Sequence, residues 1–451
     1  MSVTTCHPQY TQHAREWQIM RDALDDLVKW RGAVYLPMTD GMQHLSDQNK
    51  ALADAIYKSY KDRAIYPLWV KDAIRSMMGL VSRVKLDVSL PNRIEYMREN
   101  ATSDGFGLEQ LFMRTVRELL ITGRRPLMTD IDGQGRAYVA LYDAESAINW
   151  KTTDQDGRQD LSLVVFAESR DTSVDEFDHD YELVYRVLRI VDGRLLVSVV
   201  DDTNAPVADG EVEPSDGRGQ RLGYIPVVFC GSTDNSPNVD EVPLLTMAKS
   251  AIKYYQLSAD YYESLHKTAH PQAWAATEAD VKFETTGPAT IWHLGSQNGS
   301  VGYLEIKGNG IEATSKAMDE QRNAALEAGA RVMDAGGTES GEARKARQND
   351  QTATLSSIVT TAASAIQQSL EYAAEMIGAD PGEVNFQVDP DFALNVLDAQ
   401  MLTSLQNAAL AGLISSATYW TYVSTGKIPE RTWDEEVEYI ESQPPGSSMS
   451  A

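Results

Sequence analysis

The sequence predicts an α+β fold, mainly helical, and three observations carry that prediction. Apolar residues recur at helical spacing through the first third and the last half of the chain. Between them lies a stretch of alternating, β-rich segments punctuated by Asp-Gly pairs. Finally, two long apolar stripes, near 243–266 and 349–377, are too long to bury themselves alone.

In the first third, residues 46–64 place Leu52, Ile56 and Tyr60 on one stripe, with Ser46 as the expected N-cap. After Pro67 a second helix brings Ile74, Met77, Met78 and Val81 together. A third, over about 107–122, carries Leu108, Leu111, Phe112, Leu119 and Leu120 and ends at Gly123. The middle reads as strands: Leu127–Ile131 and Ala137–Tyr142 around Asp132-Gly133, then Leu161–Ala167, Tyr181–Val191 and Arg194–Val200. Segments 152–160 and 201–221 read as loops. Pro243 then opens a helix whose stripe is Leu245, Ala248, Ile252, Tyr255, Ala259 and Tyr262, roughly 36 Å long if fully helical. Residues 268–310 break into short strands around Pro271, Gly287-Pro288 and Gly295, with Gly308-Asn309-Gly310 as a turn. Helix resumes over 311–330, a Gly-rich charged loop follows over 331–345, and a helix runs from about 349 to 377. A short strand near Val384–Val388 precedes helices over about 397–414 and 432–442, and the tail Pro444–Ala451 is expected to be disordered.

Composition bounds the function. With 451 residues, 42% hydrophobic and 24% charged, the chain can build two or three domains with sizeable cores. The formal net charge of −26 repels phosphate backbones at long range and argues against a basic nucleic-acid-binding face. It fits equally a soluble acidic protein that charge keeps dispersed. The N-terminus, with Cys6, His7, Gln9 and Tyr10, has no apolar run of a signal peptide, and no stretch is apolar enough for a membrane span, so cytoplasmic synthesis is expected. Two cysteines, Cys6 and Cys230, offer neither a disulfide framework nor a metal set.

Motifs of catalysis are missing. Ser424-Thr425-Gly426-Lys427 lacks the upstream glycine and the following Ser or Thr of a phosphate loop. His266 and His270 stand four apart, but Pro271 ends that helix and no third ligand is near. Asp130, Asp132 and Gly133 resemble the start of a calcium loop without its closing Glu, and a hairpin turn explains them better. Cys230 has no His nearby. No enzyme, no cofactor and no metal are expected.

What remains is an order of elements: helix, small β excursion, helix, Gly-rich charged loop, long helix. Identical copies in a closed ring would cover the two apolar stripes, as would an ordinary helical bundle. At this point the chain resembles the portal proteins of tailed bacteriophages, over nearly its whole length. The stretches that carry the resemblance are Leu141–Trp150, Gly223–Val228, Ser340–Arg344 and Leu410–Thr418, in that order. The resemblance implies a wing over 1–242, a first stem helix over 243–267, a clip over 268–310 and a second stem helix over 311–330. A tunnel loop over 331–345, a long helix and return to the wing over 346–395, and a short crown-like helical C-terminus over 396–451 complete it.

The resemblance further implies a homo-dodecameric ring at the unique portal vertex of the capsid, with double-stranded DNA in its channel. It implies transient docking of the terminase large subunit, then of head–tail connector or adaptor proteins, contact with the major capsid protein, and no membrane. Site residues follow: Asp334, Gly336, Gly337, Glu339, Gly341, Glu342, Arg344 and Lys345 in the tunnel loop; Lys316, Glu320, Arg322 and Glu327 lining the stem; Trp274 and Trp292 in the clip, as partner contacts or as its small core. Another head–tail adaptor or minor capsid protein is the alternative.

Overall fold

The computed structural model describes residues 2–155, 158–207, 210–268, 272–276, 298–304, 309–329, 341–389, 399–425, 429 and 431–442. The chain is a mixed α+β protein in two units, Met1–Pro390 and Asp391–Ala451.

The first unit begins with α1 (Pro8–Leu24), α2 (Leu27–Trp30), α3 (Asp40–Gln48), α4 (Lys50–Arg63) and α5 (Trp69–Val81). The expectations did not include α1. Its buried apolar residues, Trp17, Met20, Ala23 and Leu24, fall late in the helix and share it with buried Asp22, so the stripe is short. Ser46 lies inside α3 and caps nothing. Asn49 caps α4 instead, its side chain accepting from the Leu52 amide at 3.2 Å. Leu52 is exposed, and the buried residues of α4 are Ala53 and Tyr60.

After β1 (Leu86–Ser89) comes α6 (Leu108–Thr122), which ends at Gly123 as the sequence predicts. Gly123 has φ +73°, and a Cβ there would sit 2.6 Å from the Glu241 carbonyl oxygen, so both the turn and the close approach require glycine. Strands β2 (Arg124–Ile131) and β3 (Ala137–Leu141) form the expected hairpin, paired from Leu127↔Leu141 to Ile131↔Ala137. Asp132 accepts from the Gln134 and Arg136 amides at 2.8 and 2.9 Å and pairs with the Arg136 guanidinium. Its carboxylate is thus committed to its own turn, whose left-handed residue is Gly135.

Four strands then meander antiparallel: β4 (Ala147–Gln155), β5 (Arg158–Asp171), β6 (Tyr181–Val191) and β7 (Arg194–Val200). The loop expected over 152–160 is a continuation of β4 and β5, paired to Gln155↔Arg158. Thr152 and Thr153 are good strand formers, and an exposed sheet margin tolerates polar residues, so polarity misled the expectation. Alternation gives the sheet two faces. Trp150, Val164, Phe166 and Leu188 face a core shared with Ile225, Val227 and Phe229, while Ile148, Val165 and Tyr185 form a smaller cluster on the other side.

The strand β8 (Val227–Gly231) pairs with β2, giving the order β3-β2-β8. At that seam Arg124 is buried between aromatic faces, 3.9 Å from the Trp150 ring centre and 4.2 Å from that of Phe229. Burial pushes its pKa down, and Nη2 donates to the Pro237 carbonyl at 3.1 Å. Helix α7 (Leu245–Thr268), strands β9 (Gln272–Ala276) and β10 (Ser300–Leu304), and helices α8 (Asn309–Glu327) and α9 (Gly341–Ile377) follow. The chain then returns: β11 (Asn385–Val388) pairs antiparallel with β1, and Phe386 reaches Phe112 of α6.

The second unit holds α10 (Ala399–Leu410), α11 (Ser416–Thr425) and α12 (Trp433–Glu441). The helix expected to reach 414 stops earlier, where Gly412 turns with φ +71°. The helix α11 was not foreseen. It starts at a polar knot in which Glu436 of α12 accepts from the Ser415 amide at 2.7 Å and the Thr418 hydroxyl at 2.8 Å. Thr432 and Glu435 form a capping box on α12. The tail from 443 lies outside the described residues.

Candidate functional site: the segment from α7 to α9

Helix α7, 24 residues and about 36 Å long, is fastened to the N-terminal helices along one side. Ser258 and Ile65 exchange hydrogen bonds, the Ile65 amide donating at 2.9 Å and the Ser258 hydroxyl donating to the Ile65 carbonyl at 3.1 Å. Gln256 donates to the Tyr35 carbonyl at 2.7 Å, and Tyr60 donates to Asp260 at 2.6 Å. Burial and that hydrogen bond to Asp260 push the Tyr60 pKa up. Glu263 pairs with Arg63 and, at 2.9 Å, with Lys267. Burial opposes its charge, but these two cations outweigh burial and hold the carboxyl below its ordinary range. Apart from the Glu263–Lys267 pair, four positions apart on α7, none of these links was legible in the sequence, because the partners stand about two hundred positions apart.

The strands β9 and β10 pair antiparallel, from Gln272↔Leu304 to Ala276↔Ser300. Gly302 lies opposite Trp274, and a Cβ there would come within 3.0 to 3.2 Å of the indole, so the glycine makes room for the ring. Trp274 is 46% exposed. Trp292 lies outside the described residues.

Helix α8 packs against α7. Met318 and Ala325 are buried, and half-buried Ile311, Thr314, Gln321 and Ala328 continue the same face. Every charged residue of α8 is exposed: Glu312, Lys316, Asp319, Glu320 and Glu327 turn away from that face, and Arg322 stands at its edge. Of the expected stem residues, Lys316, Glu320 and Glu327 therefore share an exposed face with Arg322 outside it, and the exposed charges of α8 are net acidic. Tyr254 of α7 lies in this field; burial first, then its neighbours Tyr262 and Asp319, raise its pKa against the opposing effect of Arg322. Asn309 and Gly310, expected in a turn, already belong to the first turn of α8; Gly308 is outside the described residues.

Of the expected loop residues, Asp334, Gly336, Gly337 and Glu339 lie outside the described residues. Gly341, Glu342, Arg344 and Lys345 are not in a loop but in the first turns of α9, which begins eight residues earlier than the apolar stripe suggested. Glu342-Ala-Arg-Lys-Ala-Arg347 is a run of strong helix formers, and such a run extends a helix without needing an apolar face. At 37 residues α9 spans about 55 Å.

Its C-terminal half is enclosed. Leu355, Ile358, Val359, Ala362, Ile366, Leu370, Ala373 and Met376 are buried against β2, β3, β8, β11 and α6. Thr129 donates to the Ser369 carbonyl at 3.0 Å, Asn235 to the Thr361 carbonyl at 3.1 Å, and Gln367 bridges to Val384 and Phe386. Gly217 donates to the Met376 carbonyl at 2.6 Å, closing the helix end.

A cavity of about 380 Å³ opens between β5, β8 and α9, lined among others by Gln159, Asp160, Tyr224, Gln368 and Tyr372. Among the described residues, no three His, Cys, Asp or Glu side chains group to hold a metal. No described helix is long and apolar enough to cross a membrane. Cys230 is buried in β8, which pushes its thiol pKa up, and Cys6 is exposed. His270 lies outside the described residues.

A family model described as a domain of unknown function, DUF4055, matches residues 243–377. Its limits coincide with α7 at one end and the last residue of α9 at the other, so the segment recurs as a unit. No curated protein matches the chain. Among solved structures, a chain from the virion of a native gene transfer agent particle overlaps it at 12% identity and TM-score 0.40, covering 84% of this chain and 91% of that one. A chain from the neck of the native particle, computed with C12 symmetry, gives 13% and 0.39 over 84% and 90%. One from the neck of the empty particle, computed with C6 symmetry, gives 12% and 0.41 over 83% and 90%. Overlap at these TM-scores falls short of a common fold.

Proposed function

We propose that the chain is a non-enzymatic structural protein of the head–tail region of a phage-like particle and, within that class, its portal. Identical copies close into a ring, with α7 and α8 as the stem, the β9–β10 pair in the clip, and the start of α9 at the tunnel. The observation that supports this most is α8: one face is packed on α7, and all its charges are exposed with acids in excess. A helix of that kind suits the wall of a passage for double-stranded DNA. Each phosphate neutralised by a fixed cation adds affinity through counterion release, so a basic wall would hold the duplex. A net-acidic wall with scattered Lys316 and Arg322 guides DNA without holding it.

On this reading the ring sits at one capsid vertex against the major capsid protein. It docks the terminase large subunit during packaging and connector or adaptor proteins afterwards. The exposure of Trp274 favours partner contact at the β9–β10 pair over burial in a small core. Purified full-length protein, measured by native mass spectrometry and imaged in negative stain, should form rings of about twelve copies with a central hole. A solitary monomer, or a particle without an opening, sinks the proposal; a ring too narrow for a duplex points instead to another head–tail component.

A further inference from the structure

Two surfaces of the first unit stand out against the net charge of −26, and they are opposite in character. The first is the end of the β5–β6 hairpin. β4 pairs with β5 only as far as Phe166, and β7 pairs with β6 only as far as Tyr185. Beyond those rungs β5 and β6 continue alone to Asp171↔Tyr181, as a two-stranded arm. Its turn is internally tied: the Thr172 amide donates to the Asp180 carbonyl at 2.8 Å, and Asp171 and Asp175 accept from the Ser173 and Phe177 amides. The arm nevertheless holds out Val174 at 98% exposure and Phe177 at 81%, with Tyr181 and Leu183 also exposed. Asp171, Asp175, Glu176, Asp178, Asp180 and Glu182 surround them with no Lys or Arg among residues 171–182.

The second surface is the α4–α5 region. Residues 50–85 contain eight basic residues against three acidic, a local excess of cations in an acidic chain. Lys50, Lys58, Lys71, Arg75, Arg83 and Lys85 are exposed, and among the described residues none of them forms an ion pair. Lys71 and Arg75 stand one turn apart on α5. Leu52 and Ile65 are exposed apolar residues in the same region. Neither α4 nor α5 packs on the four-stranded sheet; they lie on α3, α6 and α7. Among the described residues, Glu182 of the arm pairs with Arg170 and Arg63 of the α4–α5 region with Glu263, and the other charges named on the two surfaces form no ion pair across the fold.

We propose that the 171–182 arm of one copy seats on the α4–α5 face of the next copy, with Phe177 and Val174 inside a ring of opposite charges. A head-to-tail ring needs two different, complementary surfaces on one subunit, and these two match in charge and in apolar content. The pairing also gives cohesion where like-charged copies otherwise repel. It rests on the ring reading above and names the contact that closes it.

The test is a charge swap in the full chain. One variant carries Asp175→Lys, Glu176→Lys and Asp178→Lys; a second carries Lys71→Glu and Arg75→Glu; a third carries all five. All these positions are at the surface, and unchanged melting curves confirm folding. Each of the first two should raise the concentration needed for ring assembly by about tenfold or more, and the third should restore it. Rings formed by both partial variants as readily as by the unaltered chain overturn the arm contact while leaving the ring intact. Loss without recovery in the third variant also overturns it, and means that the two surfaces make separate contacts within the ring. An unaltered chain that never assembles removes the ring and the contact together.

Discussion

Helix α8 and the C-terminal half of α9 are neighbours in the recurring segment, yet they relate to their surroundings in opposite ways. α8 has one apolar face, resting on α7, and six exposed charged residues. α9 from Leu355 onward is enclosed on several sides by strands and by α6, and its carbonyls accept from Thr129 and Asn235. The contrast teaches where each helix's constraint lies. α9 is an axle of the fold, held by volume and by hydrogen bonds. α8, among the described elements, packs on α7, and its charged residues are exposed.

The largest effect expected from this comparison comes from cutting the axle. Leu370→Ala removes a fully buried side chain of α9 and should cost about 2–5 kcal/mol in chemical denaturation. A loss below about 0.5 kcal/mol would mean the helix is not enclosed as described.

Next in size is the fastening of α7. Glu263 has a carboxyl held below its ordinary range, so its contribution is full above the unfolded value of about 4.3. That contribution fades as pH falls through the lowered folded value. Glu263→Gln should therefore lower stability at neutral pH and flatten its dependence on acid. Parallel acid titrations of the two proteins, displaced but equally steep, would contradict the pairing with Arg63 and Lys267.

The smallest effect on folding is expected on α8. Asp319→Asn with Glu320→Gln should change stability by no more than about 0.5 kcal/mol, since both side chains are exposed. The same pair should slow release of duplex DNA from assembled rings, and more so at low salt. A stability loss as large as that of Leu370→Ala would show α8 to be a core helix and remove the distinction.

Much of the element pattern was readable along the chain, and the exceptions share a cause. α6 with its Gly123 stop, the β2–β3 and β6–β7 hairpins, and the apolar stripes of α7 and α9 follow from local spacing and turn chemistry. The strand over 152–155, the helix α1 and the first turns of α9 were missed. In each the apolar signal is weak or one-sided, and strand pairing, late core contacts or helix propensity decided the outcome instead. The expected site residues divide likewise. Lys316, Glu320 and Glu327 share one exposed side because helical periodicity alone puts them there, whereas Arg322, two positions after Glu320, stands apart from them.

The sequence by itself determined what repeats locally: which segments are helix or strand, which side of α8 is charged, and that the chain as a whole is strongly acidic. Only the tertiary structure decided which charges find partners. Glu263 is neutralised by Arg63 two hundred positions away, while among the described residues Lys71 and Arg75 form no ion pair, and nothing in the order of residues distinguishes these cases. Ion pairs form between surfaces that folding brings together, and that proximity belongs to the packing of distant elements rather than to any neighbourhood along the chain.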